Sequence, residues 1–293
     1  MRSGEGRQLH GLEKIVAIAA LAAVLALAIG FAQAREVVRS GEPLSLRSSA
    51  ALVQDAASGE TLYAKNHDAV LPIASITKLM TALVIVESGL DLGQRVVISP
   101  EDYDTLKGTR SRLGAGAVLT RDELLLLALM ASENRAAAAL GRTFPGGTAA
   151  FVAAMNARAR LLGMADTHFV DASGLSPANV SSAHDLARLV AAAHAHPLIR
   201  DYSTRERAVV QVFGQPQEFR NTNRMVRHGS REVALSKTGY LAEAGRCLVL
   251  RLHVAARELT VVLLDSSGKY GRLADVARIR RWLETSAARE VRG

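Results

Sequence analysis

Apolar residues fall in short strand-like runs towards both ends of the chain and in longer helix-like runs through its middle. The stretch SSAALVQDAASGETLYAKN (48–66) predicts two strands joined by a turn at Ala57, Ser58 and Gly59. LPIASITKLMTALVIVES (71–88) predicts a mostly apolar helix, and RVVIS a short strand after it. From Asp122 to Gly163 nearly everything reads as helix: DELLLLALMAS, NRAAAALGRTF and GTAAFVAAMNARARLLG, the last two separated by a PGG break. SSAHDLARLVAAAHAHP is one more helix, with Ser181 or Ser182 as its N-cap. After residue 205 the pattern returns to strands, in RAVVQVF, ALSKTGY, RCLVLRLHVA and ELTVVLLDS. The last two lie close enough to form a hairpin. GRLADVARIRRWLE closes the pattern as an amphipathic helix, with Leu273, Val276, Ala277, Ile279 and Leu283 available for its buried face.

Strands at both ends with helices between them predict an α/β (α+β) fold. An antiparallel sheet from about 44–70 and 205–286 is expected to be flanked by N- and C-terminal helices, beside an all-helical part from about 75–204. No internal repeat, low-complexity tract or linker divides residues 35–293. The 293 residues are 49% hydrophobic and only 4% aromatic, so Ala, Leu and Val must fill the interior. The first 34 residues stand apart. Arg2, Arg7 and Lys14 precede an uncharged apolar run from Ile15 to Phe31, and Ala32-Gln33-Ala34 precedes Arg35, the layout of a secretory signal cleaved after Ala34. Retention of that segment as a membrane anchor is the alternative, although the run is short of the ~20 residues that span a bilayer. Cleavage removes three basic and two acidic residues and lowers the net charge from +8 to +7. The basic residues are scattered, without a dense run or interleaved aromatics, so no nucleic-acid partner is expected. Positive charge does suit work near an acidic polymer. The single cysteine, Cys247, excludes an intrachain disulfide and reads as a small buried hydrophobe.

Chemistry enters at Ser75 and Lys78, three residues apart at the head of the apolar helix. There the hydroxyl lies near orphan backbone N–H groups, with the lysine one turn down on the same face. A desolvated lysine loses affinity for its proton and can accept one from a serine. S-x-x-K alone is weak evidence, because Ser266 to Lys269 also fits it but follows a strand as a loop. Two companions strengthen it. Ser132-Glu133-Asn134 sits at the break between two apolar helices, where its other reading is an N-cap. Lys237-Thr238-Gly239 sits in a strand, where its other reading is a strand end with a solvated lysine. S-x-x-K, S-x-N and K-T-G in this order form the signature of serine enzymes that acylate on penicillin. No metal or other cofactor is expected, since His194 and His196 are two apart on a helix and point different ways.

With these motifs the sequence resembles the low-molecular-mass penicillin-binding proteins, the D-alanyl-D-alanine carboxypeptidases and endopeptidases of bacterial walls. LPIASITKLMTALV, DELLLLALMASENRAAAAL, HFVDASGLSPANVSSAHDLARLV, FRNTNRMV, SKTGYLAEAGRCLV and LDSSGKYGR read like the endopeptidase branch, penicillin-binding proteins 7 and 8. The likeness covers roughly Leu46 to Leu283. It implies a β-lactamase/transpeptidase-like fold with Ser75 as nucleophile, Lys78 as base and Ser132 as a proton relay to the leaving amine. Asn134 would hold Lys78 and the substrate amide, and Lys237 and Thr238 would meet a carboxylate. The backbone N–H groups of Ser75 and Tyr240, the latter just past Gly239, would bind the oxyanion. Implied partners are the peptide stems and cross-links of peptidoglycan, with β-lactams as covalent inhibitors, in the periplasm. The charge leaves peripheral association with membrane or murein open. The second β-rich domain and C-terminal anchor of many relatives are not expected in these 293 residues. A β-lactamase would need a further glutamate, and VDASGLSPANV holds none. A murein-binding module without chemistry is a further alternative. Cleavage of D-Ala–diaminopimelate cross-links is expected over trimming of pentapeptide stems, although one cation and one hydroxyl can serve both substrates.

Overall fold

A computed structural model describes residues 44–254 and 256–290, with the side chains of 286–290 left aside. The leader read on residues 1–34 lies outside them. Five antiparallel strands make the main sheet: β1 (Ser48–Asp55), β2 (Thr61–Lys65), β9 (Val233–Leu241), β10 (Gly245–Val254) and β11 (Arg257–Ser266). Their order is β2-β1-β11-β10-β9, so the first strands in sequence pair directly with the last. Short strands in the helical part pair separately, β3 (Leu71–Pro72) with β6 (Val180–Ser181) and β4 (Arg95–Val97) with β5 (Val118–Thr120). The β10–β11 hairpin is present, with Val249 opposite Val262. Both faces of the sheet are covered, which explains why β10 and β11 read as near-continuous apolar runs. Ala51, Val53, Leu250, Val261 and Leu263 pack against the C-terminal helix, while Leu52, Val249, Val262 and Leu264 join the core of the helical part.

The helices follow the sequence pattern closely. α1 (Thr77–Glu87) is buried on every side through Ile85, so it shows no polar stripe. α2 (Arg121–Met130) opens on a Thr120–Glu123 capping box. α3 (Asn134–Arg142) and α4 (Gly147–Leu161) follow it. α5 (Ala183–Ala195) is capped by Ser182, whose side chain accepts from the Asp185 N–H. α6 (Pro197–Thr204) is a further helix that the sequence pattern did not predict. Pro197 starts it at the first turn, where a missing N–H costs nothing.

Three further departures have clear causes. Ser75 lies in a 3₁₀ turn, Ala74–Ile76, just before α1 rather than within it. The strand at Arg207–Val212 (β7) has an unforeseen partner in Gln215–Arg220 (β8), whose polar composition hides it. Phe213 and Gly214 join the two with φ of 52° and 72°, the tight left-handed geometry of a two-residue hairpin, at an Phe-Gly pair that is not a usual turn signal. The last helix, α8 (Gly271–Glu290), does bury Val276, Ile279 and Leu283, but Ala277 is exposed and Leu273 only half-buried. Asp275 is fully buried in that stripe instead. It accepts from the backbone N–H groups of Arg47 and Ser48 at 2.9 Å each and from Ser48 Oγ at 2.7 Å, pinning the start of β1.

Candidate active site

The 3₁₀ turn at Ser75 lies against edge strand β9 at its Lys237-Thr238-Gly239 segment. The approach is close: a Cβ on Gly239 would stand 2.9 Å from the Ile73 carbonyl oxygen and 3.2 Å from the Ser75 nitrogen. Only glycine lets the two backbones meet this way. The opposite side of the turn is held by the loop after residue 170. There Gly174, at φ +78°, leaves no room for a Cβ, which would lie 2.0 Å from the Ala74 oxygen. Ala74 itself has φ 49° and Ser132 has φ 58°. Two non-glycine residues in the left-handed region, each costing about 1–3 kcal/mol, thus flank the cleft.

Lys78 is completely buried. Its Nζ donates to Ser75 Oγ at 3.0 Å, Asn134 Oδ1 at 2.7 Å and the Ser173 carbonyl at 2.5 Å. Three acceptors match the three donors of an ammonium, and a neutral amine keeps two of them while turning a lone pair to Ser75. Burial pushes its pKa down to about 7, opposed by the nearby carboxylates of Asp171 and Glu133. Asn134 begins α3 and is itself fixed, its Nδ2 donating to Thr109 Oγ1 at 3.0 Å.

Across the cleft, Lys237 Nζ donates to Ser132 Oγ at 2.8 Å and to the Thr238 carbonyl at 2.9 Å. Lys237 is also buried, and burial holds its pKa well below the ordinary lysine value, with the charges of Lys78 and Arg272 acting the same way. Because Ser132 accepts from Lys237, its own O–H remains free to donate into the cleft. Ser132 does not cap α3; Glu133 holds the N-cap position without a side-chain cap bond. Thr238 Oγ1 donates to Thr222 Oγ1 at 2.7 Å. Tyr240 is 57% exposed at the end of the segment, with the Arg246 guanidinium 4.5 Å from its ring centroid.

The structure therefore gathers Ser75, Lys78, Ser132, Asn134, Lys237, Thr238 and Gly239 around one cleft, with Tyr240 next along the strand. It does not gather Ser266 and Lys269: Ser266 is buried at the end of β11 while Lys269 is exposed. Cys247 is buried on β10, and burial pushes its thiol up to about 11. His194 faces Glu258 at 3.5 Å and His196 faces Glu87 at 3.2 Å, on different partners.

Three contributors escaped sequence reasoning. Asp171 accepts from Ser173 N, Ser173 Oγ, Gly174 N, Ser176 N and Asn179 Nδ2, folding the loop that offers the Ser173 carbonyl to Lys78. Burial works to raise its pKa, yet these hydrogen bonds outweigh it and the carboxyl is held low. Asp-x-Ser-Gly is an Asx-turn signal that could have marked it. Thr222 carries no such signal. Arg272, from α8, donates to the Gly239 carbonyl at 2.9 Å and the Cys247 carbonyl at 3.0 Å, setting a cation behind the Lys237 strand.

A nucleophilic serine beside a buried lysine, at the seam between an antiparallel sheet and a helical part, defines a serine hydrolase of the penicillin-binding type. Comparison with known proteins agrees. Residues 36–268 match the peptidase S11 family, D-alanyl-D-alanine carboxypeptidase, and the chain belongs to this family. It is 46% identical to a D-alanyl-D-alanine endopeptidase of Pseudomonas aeruginosa over 84% of this chain and 81% of that one. It is 42% identical to a protein of the same name from Escherichia coli, over 82% and 78%. The crystal structure of a D-alanyl-D-alanine carboxypeptidase from Mycobacterium tuberculosis superposes with a TM-score of 0.75 at 27% identity, covering 85% of this chain and 96% of that one. Among the described residues, no helix is long and apolar enough to cross a membrane.

Proposed function

We propose that the protein is a periplasmic serine D,D-peptidase that cleaves D-Ala–diaminopimelate cross-links in peptidoglycan through an acyl-enzyme on Ser75. One observation carries this reading: Ser75 Oγ stands 3.0 Å from the Nζ of a fully buried lysine whose pKa is pushed down to about 7. Ser75 Oγ attacks the D-Ala carbonyl and its proton passes to Lys78. The backbone N–H groups of Ser75 and Tyr240 hold the resulting oxyanion, each worth on the order of 3 kcal/mol at the transition state. As the C–N bond breaks, the leaving amine takes the proton of Ser132. The balance closes when Lys78 returns its proton across the cleft to Ser132. Water then attacks the ester, again with Lys78 as base, and Ser75 is released. Asn134 orients Lys78 and the substrate amide.

Lys237 and Thr238 receive the carboxylate of the leaving residue. An arriving carboxylate offsets the burial that lowers the proton affinity of Lys237, so substrate itself keeps that side chain charged. Asp171 is unsuited to activate a deacylating water, because both its oxygens are engaged by the loop it folds. The names of the two endopeptidase relatives support cross-links as the substrate, and residues 1–34 support export with cleavage after Ala34.

The test is digestion of purified dimeric muropeptide, followed by chromatography, beside labelling with a fluorescent penicillin. Loss of dimer with gain of tetrapeptide monomer, and a stable labelled band absent in Ser75→Ala, are expected. Persistence of the dimer while a pentapeptide releases D-Ala would make the enzyme a carboxypeptidase. N-terminal sequencing of mature protein should return Arg35, and Met1 would refute the cleavage.

A further inference from the structure

Beside the carboxylate end of the cleft lies an open cavity of about 320 Å³, lined by Thr222 and Thr238 and by five cations, Arg224, Arg227, Arg246, Lys269 and Arg272. No acidic residue lines it. Among the described residues none of the five is paired with a carboxylate. Four of them instead face aromatic rings or carbonyls, and the Arg227 side chain is exposed. Arg224 and Lys269 lie 5.4 and 5.6 Å from the Tyr270 ring centroid, and Arg246 lies over Tyr240. Elsewhere on the surface cations find acids readily, as Arg205 does with Asp201 and Arg280 with Glu232. Five unpaired cations around one concavity repel one another unless an anion enters.

Their presentation is built, not incidental. Arg224 and Arg227 are the ends of a short helix, α7 (Arg224–Arg227), at i and i+3 on one face. Asn223, almost fully buried, caps that helix by accepting from the Met225 N–H and donates to Ser236 Oγ at 2.8 Å, one residue before Lys237. Asn221 ties the other side, donating to the Ser203 and Arg205 carbonyls and accepting from the Asn223 N–H. The Asn-Thr-Asn segment thus clamps two exposed arginines and Thr222 to the strand that bears Lys237 and Thr238.

We propose that this basin is a subsite for the peptide stem attached to the leaving amine, binding its further carboxylates beyond the one met by Lys237 and Thr238. This rests on the D,D-peptidase reading of the cleft and specifies its substrate as a polyacidic, cross-linked peptide. A single terminal residue carries one carboxylate and ends at Thr238. A cross-linked leaving group continues past it, and the chain it carries is acidic. The basin lies where that continuation emerges.

The test compares the parent with Arg224→Gln/Arg227→Gln and with Arg227→Glu, leaving Arg272 intact because it supports the strand. Each protein is assayed for cleavage of purified dimeric muropeptide and for acylation by a fluorescent penicillin, which has no second stem, at low and raised sodium chloride. The expected result is a fall on the order of tenfold in kcat/KM for dimer in the double variant, through KM, and a larger fall on charge reversal. Penicillin acylation stays at the parent rate, and the salt sensitivity of dimer cleavage shrinks in the variants. Unchanged dimer cleavage would overturn the proposal, as would an equal fall in penicillin acylation, which would place the arginines at the reacting centre. Sedimentation of the parent but not the variants with anionic lipid vesicles, with dimer cleavage unmoved, would overturn it in favour of a headgroup site. A parent that acylates but cleaves no dimer would instead fell the cross-link reading itself, and the subsite with it.

Discussion

At the scale of single residues, the chemistry turns on how the protein keeps a lysine in a place that resists its charge. Lys78 is surrounded by apolar neighbours of α1 and satisfied only by Ser75, Asn134 and Ser173. Burial wins over the attraction of Asp171 and Glu133, and the pKa falls to about 7. In the proposed mechanism the neutral amine is the active form, so the acylation rate should rise with pH through about 7 and level off above it. Stopped-flow labelling with a chromogenic β-lactam across pH 5.5–9 reads this directly, and a flat profile would remove Lys78 as the base. Lys78→Arg keeps a cation that cannot give up its proton near neutrality, and should cut acylation by at least about 100-fold in a folded protein.

At the scale of elements, the site depends on two backbones touching, β9 and the 3₁₀ turn at Ser75. Gly239→Ala puts a methyl group 2.9 Å from the Ile73 carbonyl and 3.1 Å from the Ala74 Cβ, so the strand or the turn must move. The expected outcome is near-complete loss of penicillin labelling with a melting temperature only a few degrees below the parent; labelling at the parent rate would show that the contact is dispensable. A second element contact, Asp275 of α8 with the start of β1, anchors the sheet's outer layer. Asp275→Ala strands the buried N–H and hydroxyl of Ser48 and the part-buried N–H of Arg47, and should cost about 3 kcal/mol in urea unfolding. These contacts also mark where sequence reading stops. Helices and central strands were legible because their apolar residues repeat with a fixed period, and Ser75, Lys78, Ser132 and Lys237 were legible because each sits within a short motif. Asp275 was not, since a polar residue in an apolar stripe declares itself only when its partner, 227 residues away, is known. Thr222 and the basic basin were hidden likewise: arginines scattered along the sequence converge only through the fold. The β8 strand was hidden by a polar composition, and α6 by a proline that ends one helix and starts the next.

At the scale of the whole molecule, the cleft draws on the stability of everything around it. Two lysines are buried within it, and the structure must bear the cost of charging them. The sign follows from proton counting. Lys78 has a folded pKa of about 7 against an unfolded value near the ordinary ~10.4. Between these values the unfolded chain binds a proton that the folded one does not, so the free energy of unfolding rises with pH across that window. Lys237, lowered by burial and by the charges of Lys78 and Arg272, adds to the same slope. Cys247, raised from 9.0 to about 11, acts in the opposite direction above pH 9, so the clean window is pH 7–9. Urea unfolding at pH 7, 8 and 9 should therefore show the parent becoming more stable at each step. Lys78→Met removes one of the two titrations and relieves the other, because Lys237 no longer faces a second cation. Its slope should be visibly flatter, while its acylation is abolished. Equal slopes in parent and variant would mean that Lys78 keeps its proton in the folded protein, and the amine that the mechanism requires at neutral pH would not exist.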